Sequence, residues 1–126
     1  MLENGIKGVG QVVVSDANTA RTMGSGTLDV FATPAMIALM ERTASESVQP
    51  LLEDGMCSVG TLIDVQHTAA TPLGMTVTCN TLLVSVDGRK LVFEVIASDE
   101  SGEIGRGRHE RFIVNAERFM QKTTQR

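Results

Sequence analysis

The chain has no tryptophan and no tyrosine, and four phenylalanines hold its aromatic content to 3%. A stacking platform for single-stranded nucleic acid needs aromatic faces, so this composition argues against one. Positive charge is also in deficit: 11 Lys and Arg against 15 Asp and Glu leave a net charge of −4. Nucleic acids and anionic membranes select basic faces, so neither is expected as a partner. Only "GRGRHERF" gathers positive charge, at Arg106, Arg108 and Arg111, and it is too short to reverse the balance. No stretch approaches the ~18 consecutive apolar residues of a membrane span, and "MLENGIKGVG" lacks the apolar core of a secretory signal. Cys57 and Cys79 have neither metal nor redox spacing. They read as buried thiols in a reducing, cytoplasmic setting. No metal-ligand cluster, serine-hydrolase elbow or phosphate-cradling loop is visible. The glycine pairs of "GVG" and "GRG" read as bulges or close-packed strand crossings.

What is present is ordinary globular composition, 42% hydrophobic and 21% charged, in a length able to bury a core without staples. With no repeat, low-complexity tract or linker, residues 1–126 are expected to form a single domain. "GVGQVVVS", residues 8–15, reads as a first strand, and the Gly-rich "DANTARTMGSGTLDVFA" as a loop. "TPAMIALMERTASESVQPLL" is the one strong helix. Thr33 is expected as its hydroxyl N-cap with Pro34 at the first helical position, and Pro50 marks its end. Period-two alternation follows. In "CSVGTLIDVQHTA" it sets Val59, Thr61, Ile63, Val65 and His67 on one face. "MTVTCNTLLVSV" and "KLVFEVIASD" are two further strands joined at Asp87-Gly88, a two-residue hairpin signal. "EIGRGRHERFIV" is a last long strand, and the tail is expected to begin a short helix. The order predicts an α+β chain, a curved antiparallel sheet of about five strands wrapped around one long central helix.

Three side chains stand out for chemistry. Glu41 has Pro34, Ile37, Ala38, Ala44 and Val48 at helical spacing, which places a carboxylate in the apolar stripe. A carboxylate there is either paired or raised in pKa, unless it lies at the stripe's edge and reaches water. Thr33 is a cap alone, or a cap that also positions an acyl group at the positive end of the helix dipole. His67 shares the strand face taken to cover the helix. It is a general base by its ordinary pKa of ~6.5, or a structural histidine at a strand end. His109, between Arg108 and Glu110, reads as structural or solvent-facing. A hydroxyl, a carboxylate and an imidazole suit acyl transfer to water.

The segments "FATPAMIALME", "VGTLIDVQHTAATPLGMTV" and "VDGRKLVFEVIASDESGEIGRGRHERFIV" resemble the fluoroacetyl-coenzyme A thioesterase-like family of hotdog-fold proteins. The most specific part is "HTAATP-G" coupled to the "GRGRHERF"-type ending. The resemblance implies a hotdog fold, a homodimer and hydrolysis of a small acyl-coenzyme A, with coenzyme A as part of the substrate and no separate cofactor or metal. It implies catalytic roles for Thr33, Glu41 and His67, a backbone contact to the thioester at Gly60, and a substrate contact at Arg111. Glu41 is then either nucleophile or general base for water. One departure is visible. The fluoroacetyl-specific member carries a longer, phenylalanine-bearing lid before the helix, where this chain has "RTMGSGTLDVFAT" with Phe31 alone, so fluoroacetyl specificity is not implied. The rivals are a non-catalytic acyl-coenzyme A or small-ligand binding module on the same fold, and hydration or dehydration of an acyl thioester.

Overall fold

The Thr-Pro step does begin the long helix, but the hydroxyl does not cap it. In a computed structural model describing residues 2–126, helix α2 runs Thr33–Val48, with Ala32 extended (φ −73°, ψ 141°) at the cap position and no side-chain cap bond. The Thr33 hydroxyl is thereby free for a longer-range partner. Beyond Val48 the chain tightens into a 3-10 turn, Gln49–Leu51, containing Pro50. A proline there removes an N–H the α-helix would need, so the helix stops where the sequence predicts.

Around α2 lie β1 (Lys7–Val13), a short helix α1 (Ala20–Met23), β2 (Met56–His67), β3 (Thr76–Asp87), β4 (Lys90–Asp99), β5 (Gly102–Asn115) and a C-terminal helix α3 (Ala116–Thr124). The strands form one antiparallel sheet in the order β1-β3-β4-β5-β2, so β1 and β2 are its edges. Helix α2 buries Met36, Leu39, Met40, Thr43, Ala44 and Val48, the i, i+3, i+4 spacing of an amphipathic helix. They meet Val77, Cys79 and Leu83 of β3, Leu91, Phe93, Val95 and Ala97 of β4, and Ile104. Truncating one of these, as in Met40→Ala, should cost about 2–5 kcal/mol. Cys79 lies within this core, where burial pushes its thiol up to about 11, and both cysteines are free. Among the described residues no helix is long and apolar enough to cross a membrane.

Gly8, Gly10 and Gly105 set the approach of sheet to helix, while Gly107 packs against Asp64 and Val65 of β2. A Cβ on Gly8 would lie 2.8 Å from Cβ of Ser47, and one on Gly10 would collide with the Thr43 hydroxyl. A Cβ on Gly105 would come within 2.7 Å of the Met36 sulfur. The glycines of "GVG" and "GRG" are therefore close-packing positions. At the β3–β4 hairpin the two-residue loop is Gly88-Arg89, one residue later than expected, because Asp87 still pairs with Lys90. Gly88 has φ +60°, as the first central residue of a II′ turn requires.

Strand β2 departs from simple alternation. Its pairing with β5 runs from Met56↔Asn115 to Gly60↔Arg111, then resumes at Leu62↔Glu110. Thr61 is thus the extra residue of a β-bulge. Directly paired residues share a face, so Ser58 and Gly60 go with Arg111, and Ile63, Val65 and His67 go with His109, Gly107 and Gly105. All of these face the helix side. Val59, which unbroken alternation places beside His67, pairs with Phe112 on the opposite face.

Candidate active site

The start of α2 and the end of β2 meet at one point. Thr33 Oγ1 lies 2.8 Å from Nδ1 of His67 across 34 residues of sequence. The loop after His67 is tied down from two sides. The Thr68 N–H donates to the Ile104 carbonyl at 2.7 Å, and the fully buried Thr71 hydroxyl donates to Asp99 Oδ2 at 2.7 Å. His67 Nε2 is buried without a hydrogen-bond partner. Such an atom costs about 1–3 kcal/mol and calls for a functional account. Desolvation lowers the His67 pKa below its ordinary 6.5, opposed in part by the Ala69 backbone. The ring is therefore neutral at neutral pH and able to accept a proton. It borders a hollow of about 270 Å³ lined mostly by small side chains, including Ala20, Ser25, Thr33, Ala69 and Ala70.

A second cluster lies further along the helix. Glu41 is half-exposed at the edge of the apolar stripe, with Oε2 3.8 Å from Nη1 of Arg111. The Arg111 guanidinium is itself buried. Its Nε donates to Ser58 Oγ at 2.7 Å, Nη2 to the Ser58 carbonyl at 2.8 Å, and Nη1 lies 3.2 Å from His109 Nε2. Burial draws its pKa down, opposed chiefly by Glu41. Gly60 has the carboxylate against its backbone, since a Cβ there would lie 2.5 Å from Glu41 Oε2. Glu41, Gly60, Leu62, Ile63 and His109 border a separate hollow of about 240 Å³.

His109 takes the structural of the two readings expected for it, and is not solvent-facing. It is 1% exposed, and its ring stacks on Phe93 with centroids 6.2 Å apart. Its Nδ1 lies 2.7 Å from the Leu62 carbonyl, which can only accept, so Nδ1 carries the proton and Nε2 accepts from Arg111. Desolvation is the largest influence lowering its pKa. The available signal was the register of β5, where Gly105, Gly107, His109 and Arg111 occupy one face.

Thr33 and His67 therefore come together, as do Glu41, Gly60 and Arg111, but within one chain the two groups stay apart. Eight residues of helix separate Thr33 from Glu41, a rise of ~12 Å. Comparison with known proteins places the chain in a family. The family model described as fluoroacetyl-CoA-specific thioesterase matches residues 14–117. The chain belongs to this family. It is 48% identical over 98 residues to the fluoroacetyl-CoA thioesterase of Streptantibioticus cattleyicolor, covering 78% of this chain and 70% of that one. A solved fluoroacetyl-CoA thioesterase structure superposes with a TM-score of 0.95 at 39% identity, covering 100% of this chain and 98% of that one. A phenylalanine-to-alanine variant of a fluoroacetyl-CoA-specific thioesterase, solved with fluoroacetate and CoA, gives a TM-score of 0.89 at 40% identity, covering 94% of this chain and 99% of that one.

The hotdog architecture and the assignment as an acyl-CoA thioesterase, a thioester hydrolase, rest on these matches, which do not favour a non-catalytic module. In this thioesterase each arginine of "GRGRHER" already has partners within the chain, although Arg106 and Arg108 are exposed and only Arg111 is buried. Arg106 is bound to Glu103 at 2.6 Å, Arg108 pairs with Glu110, and Arg111 is engaged with Ser58 and His109. The Arg106 partner holds the Glu103 carboxyl below its ordinary range, as Arg108 does for Glu110.

Proposed function

We propose that the protein is a cytoplasmic homodimer that hydrolyses a small acyl-CoA to the free acid and CoA. In this reading Thr33 and His67 of one protomer face Glu41 of its partner. The observation that carries it is the Thr33–His67 pair, a neutral imidazole with an unpartnered buried nitrogen beside a hollow lined by small side chains. Shared sites are supported by the split of the candidate residues into two hollows of one chain. They are supported too by β2, a twelve-residue edge strand with Leu62 and Ile63 exposed next to Glu41, since a long apolar edge favours pairing with a second chain. The partner is expected to be acyl-CoA, with no metal and no cofactor beyond the coenzyme of the substrate.

In the reaction, water adds its oxygen to the acyl carbon, the C–S bond breaks, and the thiolate leaves with a proton. His67 moves that proton and Thr33 fixes the ring or the acyl oxygen. Glu41 either activates the water or attacks the acyl carbon first. The Gly60 N–H stabilises the developing oxyanion, a role whose removal typically costs ~10²–10³ in rate. The acyl group is small and not restricted to fluoroacetyl. Phe31, the one aromatic of the segment before the helix, is 1% exposed and belongs to the core, so it is not a mobile lid residue.

Thiol release from a panel of short and medium acyl-CoA esters tests the activity. Mixing inactive Glu41→Gln with inactive His67→Ala tests the shared site. Hybrid dimers carry one intact site, so about a quarter of wild-type activity should return. No recovery after subunit exchange would place each site within one chain.

A further inference from the structure

Arg106 and Arg108 are exposed but paired with Glu103 and Glu110, and Arg111 is buried against Ser58, so cations without an anionic partner have to be sought elsewhere for the phosphates of CoA. One hollow has the chemistry. It measures about 300 Å³ and lies where α3 folds back over the ends of β2 and β5, bordered by Arg89, Arg118, Lys122, Phe119, Met56 and Val114. Three cations converge on it, and no acidic side chain lines it. Among the described residues none of the three is in an ion pair, whereas Arg21, Lys90, Arg106, Arg108 and Arg111 all are.

All three cations are exposed, and among the described residues none has an anionic partner. Arg118 and Lys122 are four apart on α3 and so lie on the same helical face, where like charges repel. Arg89 comes from the second position of the Gly88-Arg89 loop, a site reached only because the hairpin turns one residue later than its sequence signal. In a chain with net charge −4, this concentration of unpaired positive charge is local. Phe119 beside it is 39% exposed, one of only two phenylalanines not in the core. Cations for phosphates next to an aromatic face for a base is the composition of a nucleotide site.

We infer that this hollow binds the 3′-phosphorylated ADP end of CoA, with Arg89, Arg118 and Lys122 on the phosphates and Phe119 against the adenine. The inference rests on the thioesterase reading, because that reading supplies the nucleotide. The hollow adjoins β2 at Met56, the same strand that carries Gly60 and His67. The reacting end and the recognition end of the substrate would then be served by one edge strand.

The test compares acetyl-CoA with acetyl-pantetheine, which has the same thioester and no nucleotide. The readout is the ratio of the two kcat/KM values, in wild type and in Arg118→Ala/Lys122→Ala. The ratio should fall about tenfold or more in the double variant, through KM, and Arg89→Ala should move it the same way. 3′-phospho-ADP should inhibit wild type competitively and the double variant much less. An unchanged ratio, or equal inhibition, overturns the inference and leaves a solvated cationic face. If wild type releases thiol from neither ester, nor from any member of the acyl-CoA panel, the thioesterase reading fails instead. Calorimetric titration with 3′-phospho-ADP then still decides the hollow: binding lost in the double variant supports it, and no binding or equal binding overturns it.

Discussion

The Thr33 hydroxyl lies 2.8 Å from Nδ1 of His67 and makes no bond to its own helix. A threonine placed for helix stability would cap; this one instead orients an imidazole. Thr33→Ala should therefore leave the melting temperature nearly unchanged while lowering kcat by ~10²-fold, the scale of a misplaced catalytic group. Thr33→Ser should restore most of the rate. Thermal melts alongside thiol-release kinetics give both readings, and a large stability loss in the alanine variant would return Thr33 to a structural role.

Gly60 separates fold from function in the same way. A Cβ there meets first the end of a flexible side chain, Glu41 Oε2, at 2.5 Å. The sheet can absorb Gly60→Ala because the carboxylate can swing away, but the carboxylate then leaves its place beside Arg111. Circular dichroism should be native, with kcat down ~10²-fold. Full activity in this variant would contradict the role given to Glu41.

His109 joins the bulge to Arg111, accepting from the guanidinium and donating to the Leu62 carbonyl. His109→Ala leaves a cavity beside Phe93 and two unpaired polar groups. A loss of about 3 kcal/mol is expected in urea unfolding, together with reduced turnover as Arg111 loosens. A change below about 1 kcal/mol would mean that the network contributes little.

The two histidines set a pH dependence. Both are held below the ordinary histidine value of 6.5, chiefly by desolvation. Just under that value the unfolded chain binds more protons than the folded one, so stability falls as pH drops. It is fully present above 6.5 and is lost progressively down to the lowered folded values. Melting temperatures should be level from about pH 8 to about pH 7 and decline toward about pH 5.5. Thiol release should fall on the acid side as His67 protonates, since it must be neutral to act as a base. A rate that does not fall between about pH 8 and about pH 5 would count against His67 as that base.

Much of the fold was legible because its signals are local. Thr33-Pro34 starts the helix, Pro50 ends it, and Gly88 fixes a hairpin to within one residue. The glycines of "GVG" and "GRG" behave as close-packing positions for the same reason, having no side chain to fit against the helix at Gly8, Gly10 and Gly105 or against β2 at Gly107. Thr33 and His67 were readable as partners because helix start and strand end are brought together by the connection between them. The bulge was not legible. Thr61 is a good strand residue, and nothing in "VGTLI" distinguishes a paired threonine from an unpaired one, so unbroken alternation puts Val59 on the face opposite to the one it occupies. His109 was obscured by its charged neighbours. Arg108 and Glu110 look like a solvated stretch until Arg108 and Lys90 are seen converging on Glu110. The distance between Glu41 and His67 was beyond sequence reasoning, because it depends on how many helical turns separate two ends of a groove.

The bulge has a further consequence. Thr61 acts as a phase shifter that divides β2 into two half-strands, one ending at Gly60 and one running to His67. Each half presents its own residues to the helix, and the offset between them is a whole residue rather than a tunable distance. Substitutions along β2 can then alter either half without disturbing the other. A single insertion or deletion between Gly60 and His67 would invert one half outright, turning His67 or Gly60 to the outer face. Length, more than composition, is what this strand must preserve.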